Sequence, residues 1–296
     1  QRVPGFPRLG TRQMSSEKLV GRIAQKLAKN ARRARTRVYW TWRNVVGRRR
    51  MARELADIAA PVTDLNRYER RICSQHGEDG ILEALFKVLG TTNRYCVEFG
   101  VGSGRECNTA WLVRKHGWTG LWMDGNPRPK KRPLEVRKEF ISAENITALF
   151  ARYGVPREFD LLSIDIDGND YWVWKKIVGY RPRVVVIEYN ASVPPTEARV
   201  IPYDPNFVWP KTDYYGASLL ALAELGRAKG YALVACDDSG ANAFFVDGEL
   251  AEGRFVLHPV SRLYRAATYR GGHGHPRDPS RSLIPVTNVE TADSRG

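Results

Sequence analysis

The chain has few cysteines, four in 296 residues. Cys73, Cys96, Cys107 and Cys236 are widely spaced and form no C-x-x-C pair, which argues against a zinc knuckle and against a disulfide framework, and in favour of a reducing compartment. No run of about 18 apolar residues occurs, so no membrane-spanning helix is expected. No apolar stretch precedes a small-residue cleavage site, so no secretory leader is expected either, and the expected location is cytoplasmic. There is no Walker loop, which disfavours ATP, and no internal repeat. Acidic residues are scarce at one end. Residues 1–60 carry 16 Lys and Arg against three acids (Glu17, Glu54, Asp57), which is +13 of the net +15. The remaining chain is close to neutral, so whatever the basic charge does belongs to an N-terminal arm and not to the fold behind it.

What is present begins with that arm. Residues 15–58 lack proline, and Val20, Ile23, Leu27, Val38, Val45 and Val46 recur at roughly helical spacing among Arg and Lys. One or two basic amphipathic helices are expected there. From about residue 79 the pattern alternates. YCVEF (95–99), LWMD (121–124), EFIS (139–142), DLLSIDI (160–166) and RVVVIEYN (183–190) read as strands. Helices are expected at 106–117, 144–154, 170–179 (with Asp170 as N-cap) and 217–230. Two last strands, YALVAC (231–236) and NAFFVDG (242–248), close the series. The β-branched runs do not alternate with polar residues, as expected of strands buried on both faces. The fold class is α/β: a doubly wound, Rossmann-like, seven-stranded sheet with an antiparallel edge and a basic helical N-terminal arm. The expected boundaries are 1–60 for the arm, 61–268 for the α/β domain and 269–296 for a loosely ordered tail rich in Gly, Pro, Arg and Ser.

The segment VEFGVGSGRECNT (97–109) runs from a strand through Gly100, Gly102 and Gly104 into a helix. Glycines let the backbone turn tightly and approach a ligand, and the helix N-terminus offers free amides. The dinucleotide spacing G-x-G-x-x-G is not met from either starting glycine, because Arg105 or Cys107 would stand at the third place. Twenty residues past Gly104, Asp124 ends the second strand, where a carboxylate can accept both hydroxyls of a ribose. A G-x-G-x-G loop preceded by Glu98 and followed by that acid resembles motif I of class I methyltransferases.

SQHGEDGI (74–81), CVEFGVGSGRECNT (96–109), GWTGLWMDGN (117–126), DLLSIDIDGNDYW (160–172) and VVVIEYN (184–190) together resemble the FkbM-like methyltransferases, over roughly residues 70–250. The resemblance implies an S-adenosylmethionine (SAM) cofactor. It implies that Glu98, Gly100 and Gly102 line its methionine part, with Gly104 also binding the cofactor, that Asp124 takes the ribose, and that Ala143 and Glu144 lie near the adenine. Gln75, Glu78 and Asp79 would lie over the same pocket, and Asp165 would border it.

Two strand ends are dense in acids: Asp165-Ile166-Asp167-Gly168-Asn169-Asp170 and Glu188-Tyr189-Asn190. Such a cluster is costly without a cation, and a hard divalent ion, Mg2+ in particular, suits oxygen ligands shared with a substrate. The arrangement is similar to that of the metal-dependent O-methyltransferases of catechols and macrolide sugars. On that likeness Asp165 and Glu188 hold the metal with Asn190 as a third ligand, although Asn190 stands off the usual acid–amide pairing and Asp167 is a substitute. Asp165, Asp167 and His76 are the candidate catalytic groups, Asp167 or His76 serving as general base. The aromatic insert at 191–215, with Tyr203, Phe207, Trp209, Tyr214 and Tyr215, suits the apolar face of a small-molecule or glycan acceptor as well as it suits loop packing.

Two rival functions remain at this level. The basic arm would fit a nucleic-acid methyltransferase, against which stand the acidic rim and the absence of an N/D-P-P-Y motif. A non-catalytic SAM-fold binding module would be expected to have lost the glycines or the ribose acid. The arm itself, with Trp40 and Trp42 among its cations, suits the anionic inner face of a membrane; packing on the body or on a partner explains the same residues. The oligomeric state has no signature in the sequence.

Overall fold

Apolar residues dominate the runs expected to be strands, and in the computed structural model all of these runs except 139–142 pair into one sheet. The structure describes residues 53–102, 104, 106–127, 134–269 and 274–287. The chain divides between Arg50 and Met51. The expected basic helices of the arm, the middle of the basic stretch after Asn126 and the last nine residues lie outside the described residues.

The elements of the second unit follow in the order α1 (Glu78–Leu89), β1 (Tyr95–Phe99), α2 (Ala110–His116), β2 (Thr119–Asp124), β3 (Val136–Lys138), α3 (Ile146–Arg152), β4 (Glu158–Ile164), α4 (Asp170–Lys176), β5 (Arg181–Glu188), β6 (Arg199–Val200), α5 (Leu219–Ala228), β7 (Tyr231–Cys236), β8 (Asn242–Asp247), α6 (Gly248–Ala251), α7 (Val260–Leu263) and β9 (Ile284–Pro285). Seven strands form the central sheet in the order β3-β2-β1-β4-β5-β8-β7. The first five are parallel, and β8 runs antiparallel between β5 and β7. The chain's winding reverses between β1 and β4, which is where an open α/β sheet leaves a crevice at its carboxyl edge.

The uninterrupted apolar runs are explained by burial on two faces. Along β5, Val184 and Val186 belong to the core under α1 and α2, while Val185 and Ile187 belong to the core under α3, α4 and α5. β8 alternates in the same way, Phe244 and Val246 to one side and Phe245 to the other. Trp174 of α4 is 1% exposed and stacks on Phe245 at 4.9 Å. A buried ion pair ties the amino edge together. Asp160 on β4 accepts from Arg183 of β5 at 2.9 Å and from the backbone N–H groups of Thr92, Asn93 and Arg94 ahead of β1.

Several expected boundaries move. The third strand is not EFIS (139–142) but Val136–Lys138, because its only neighbour, β2, ends at Asp124, the partner of Lys138. The apolar Phe140 that suggested a strand is 57% exposed. Asn169, not Asp170, occupies the N-cap of α4. The Asp170 carboxylate instead reaches back to accept from the N–H groups of Ile166 and Gly168, both at 2.8 Å, and so folds the loop after β4. Ser218 caps α5, accepting from Ala221 N–H. Residues 53–60, assigned to the arm, contribute buried Leu55 to the core of the body. The described part of the tail, 274–287, is tied to the body: β9 pairs with β6, Val286 is buried, and the Arg281 guanidinium lies 4.6 Å from the Tyr214 ring centre.

Candidate functional site

At the carboxyl edge, over the reversal point between β1 and β4, lies a cavity of about 280 Å3. It brings together seven of the residues singled out from the sequence as site residues: Gln75, His76, Glu98, Gly100, Gly102, Asp165 and Glu188. Glu78 lines it too. These come from four separate stretches of chain, so the grouping is a product of topology.

Each glycine of the loop after β1 has positive φ, +79° at Gly100, +51° at Gly102 and +65° at Gly104. A Cβ on Gly100 would stand 1.3 Å from the carbonyl oxygen of Asp165, so this glycine lets β1 and β4 approach. A Cβ on Gly102 would meet nothing within 4 Å, so this position faces the open cavity with bare backbone. Gly104 does not line the cavity; its N–H donates to Val101 O at 2.7 Å and tightens the loop.

The two acids expected to touch the cofactor also serve the backbone. Glu98 is buried and accepts from the N–H groups of Asn108 and Thr109 and from the Thr109 hydroxyl, which fixes the entry to α2. Burial holds its carboxyl above the usual range against those hydrogen bonds. Asp124 accepts from Gly102 N–H at 2.6 Å through one oxygen and from Asn126 N–H at 2.7 Å through the other. A carboxylate has about four acceptor directions, so each Asp124 oxygen keeps one for a ligand hydroxyl.

The loop carrying Gln75 and His76 is built from two further acids. Glu78 accepts from His76 and Gly77 N–H through one oxygen and from Asn242 Nδ2 through the other. Asp79 does not line the cavity. One of its oxygens takes the N–H groups of Ile72, Cys73 and Ser74 and the Ser74 hydroxyl, which pins residues 72–74. Burial pushes its carboxyl up to about 6.

Asp165, Asp167 and Glu188 place one carboxylate oxygen each within 4.8 Å of one another. Asp167 adopts φ +58°, a left-handed conformation that Asp tolerates better than most residues. Burial, then the neighbouring charges, Asp167 foremost, hold the Asp165 carboxyl well above the usual carboxylate range. Glu188 is raised in the same way, by burial and then by Asp165. Its Oε2 is buried and has no hydrogen-bond partner. A buried acceptor without a donor is unfavourable, and a cation held by Glu188 Oε2 and the neighbouring carboxylate oxygens of Asp165 and Asp167 removes the penalty, so the residues fit a hard divalent ion.

Asn190 is not part of this cluster. Its Nδ2 donates to the carbonyls of Asp213 and Tyr215, and its Oδ1 accepts from Ser192 N–H and hydroxyl. The amide is spent on clamping the insert to the end of β5, which corrects its expected place among metal ligands. Ala143 and Glu144 stand outside the cavity as well, both bonded to the Tyr203 hydroxyl. The insert's aromatics pack largely on each other and on the C-terminal segment: Trp209 lies 6.1 Å from Tyr215, and Phe207 lies 6.1 Å from Tyr214.

Sequence reasoning missed Asn108 and Asn242, which also line the cavity. Asn108 donates to Ser163 on β4. Asn242 opens β8, which is apolar from Ala243 to Val246, and a lone amide at such a start was the only local signal. No Lys or Arg is among the described residues lining the cavity. No family model and no curated protein sequence matches the chain.

Proposed function

We propose that the chain is a SAM-dependent O-methyltransferase, acting on a hydroxyl of a small molecule, a sugar or glycan in the first place, with help from a divalent cation. The observation that carries this is the pairing, in one cavity, of a bare-backbone glycine loop with a wall of carboxylates, with no Lys or Arg among the described residues lining it. Such a wall suits a positively charged cofactor, and SAM is a sulfonium. The resemblance to FkbM-like methyltransferases supplies the same reading from the motifs.

SAM supplies an electrophilic methyl group: the acceptor oxygen forms the new C–O bond as the C–S bond breaks, the electron pair stays on sulfur, and the hydroxyl proton leaves to a base. The chain's own groups then have separable parts. Gly102 admits the cofactor backbone-close, and Asp124 offers a free acceptor direction on each oxygen to the ribose hydroxyls. Asp165, Asp167 and Glu188 would hold the divalent ion, which lowers the pKa of a bound hydroxyl and orients it. His76, on the rim, or Asp167, in the cluster, accepts the proton. Alignment of acceptor and methyl is the task of the closed geometry around them.

Calorimetry with S-adenosylhomocysteine, the demethylated product, tests the cofactor. The wild-type chain is expected to bind it, and Asp124→Ala to weaken binding by on the order of 2–4 kcal/mol, because both the ribose bonds and the hold on Gly102 go. Absence of binding to the wild-type chain overturns the reading. Methyl transfer from labelled SAM to a panel of glycosides and catechols is expected to stop in EDTA and return with Mg2+. Undiminished transfer in EDTA would leave the acids as bases or as structural groups.

A further inference from the structure

Glu188 and Asn242 are directly opposed residues of the antiparallel β5–β8 pair. Opposed residues in such a pair put their side chains on one face with Cβ atoms about 5 Å apart. Both line the cavity, and both carry a buried oxygen without a hydrogen-bond partner, Glu188 Oε2 and Asn242 Oδ1. Two unpartnered acceptors side by side, in a cavity whose described lining has no Lys or Arg, call for a cation and not for another acceptor. A hard divalent ion takes amide carbonyl oxygens as ligands alongside carboxylates.

The orientation of that amide has a visible cause. Asn242 Nδ2 donates to Glu78 Oε1 at 2.8 Å, while Glu78 Oε2 accepts from His76 and Gly77 N–H at 2.9 and 2.7 Å. Glu78 thus receives hydrogen bonds on both oxygens, so the amide must turn its nitrogen toward Glu78 and its oxygen away. Glu78 is 1% exposed and stands in the first turn of α1.

We infer that Asn242 is an oxygen ligand of the cation site formed by Asp165, Asp167 and Glu188, and that Glu78 is the positioning residue that turns the Asn242 carbonyl toward it. The inference rests on the reading that a divalent cation occupies this cluster. It extends the site from two strand ends to a third, and it couples the loop of Gln75 and His76 to the metal through one side chain.

The test is titration of the full-length chain with Mn2+, followed by electron paramagnetic resonance of the free ion, with thermal melts to check folding. Asn242→Ala is expected to weaken Mn2+ about tenfold or more, and Asn242→Asp, which keeps an oxygen, to retain it. Glu78→Gln is expected to weaken Mn2+ in the wild-type background, because a glutamine amide can donate to Asn242 Oδ1 and turn the amide round. In the Asn242→Asp background the same change should cost several-fold less, since either oxygen of Asp can ligate. The backbone bonds that Glu78→Gln alters are common to both backgrounds, whereas the amide that it can turn round is present only in the wild-type one. These two comparisons stand even where Asn242→Ala does not fold.

No Mn2+ binding by the wild-type chain would overturn both the cation reading and this inference. Wild-type binding with equal affinity in Asn242→Ala would overturn the inference and leave the cluster standing. Equal losses from Glu78→Gln in both backgrounds would overturn the role of Glu78. Unchanged Mn2+ affinity with weaker S-adenosylhomocysteine in Asn242→Ala would assign Asn242 to the cofactor and overturn its place in the cation site.

Discussion

Gly100 and Gly102 are two positions apart in one motif and meet different constraints. At Gly100 an added methyl group would lie 1.3 Å from the Asp165 carbonyl oxygen, at φ +79°. Gly100→Ala is expected to destabilise the protein by about 3 kcal/mol or more, through overpacking and left-handed strain together. At Gly102 the space is open and φ is +51°, so Gly102→Ala should cost only about 1–2 kcal/mol of stability, the left-handed penalty. Its methyl group would, however, stand where a ligand approaches the backbone. Urea unfolding paired with S-adenosylhomocysteine calorimetry separates the two: the first variant loses stability, the second keeps its fold and loses affinity. Equal stability losses in the two variants would contradict this division.

Between elements, buried acids are the joints, and they make the joints sensitive to pH. Glu69 follows the short 3-10 turn Asn66–Tyr68 and accepts from Asp238 N–H in the β7–β8 turn. Burial raises its carboxyl to about 7, against the Asp238 hydrogen bond and with the nearby negative charges of Asp238, Asp237 and Glu78. Burial likewise lifts Asp79, which pins residues 72–74, and Asp170, which folds the loop after β4, each to about 6. An acid whose folded-state pKa is raised binds its proton more tightly in the fold. The stability it contributes is full below the ordinary carboxylate range and is lost as pH rises through the raised value. The metal-free protein should therefore melt at lower temperature as pH rises from about 5 to about 8. Glu69→Gln should flatten the upper part of that fall, with its gain confined to the alkaline side. Differential scanning calorimetry across the range checks this, and parallel curves for wild type and variant would refute it.

Taken whole, the molecule separates charge from chemistry. Residues 1–60 hold 16 of the 47 basic residues and three of the 32 acids, whereas the described site begins at Gln75. Among the described residues no helix is long and apolar enough to cross a membrane. Deletion of residues 1–50, the unit ahead of the body, is expected to leave S-adenosylhomocysteine affinity unchanged and to reduce attachment to vesicles containing anionic lipid. That attachment should weaken with added salt. Co-sedimentation of the full-length and shortened chains is the measurement. Equal sedimentation would remove the membrane role, and lost affinity would place the arm in the site.

The class of fold and most of the site's raw material are legible in the order of residues along the chain. Strands such as 184–187 are apolar throughout because both faces are buried, and that pattern is local, so it is legible without coordinates. The glycines after β1, the acid ending β2 and the acids ending β4 and β5 were legible for the same reason: each lies at a strand end, where chain direction alone puts it at the carboxyl edge. Boundaries and partners were not legible. The third strand stops at Lys138 because β2 stops beside it, and residues 284–285 form a strand because β6 offers an edge to them; neither cause lies in the segment affected. Asn190 and Asn242 show the same limit at the site. By sequence the first stands two residues after Glu188 and the second is a polar residue opening a distant strand. Folding spends the Asn190 amide on the insert and sets Asn242 across from Glu188. Which amide has a free oxygen depends on the hydrogen bonds its neighbours demand, and those neighbours are assembled only by the tertiary structure.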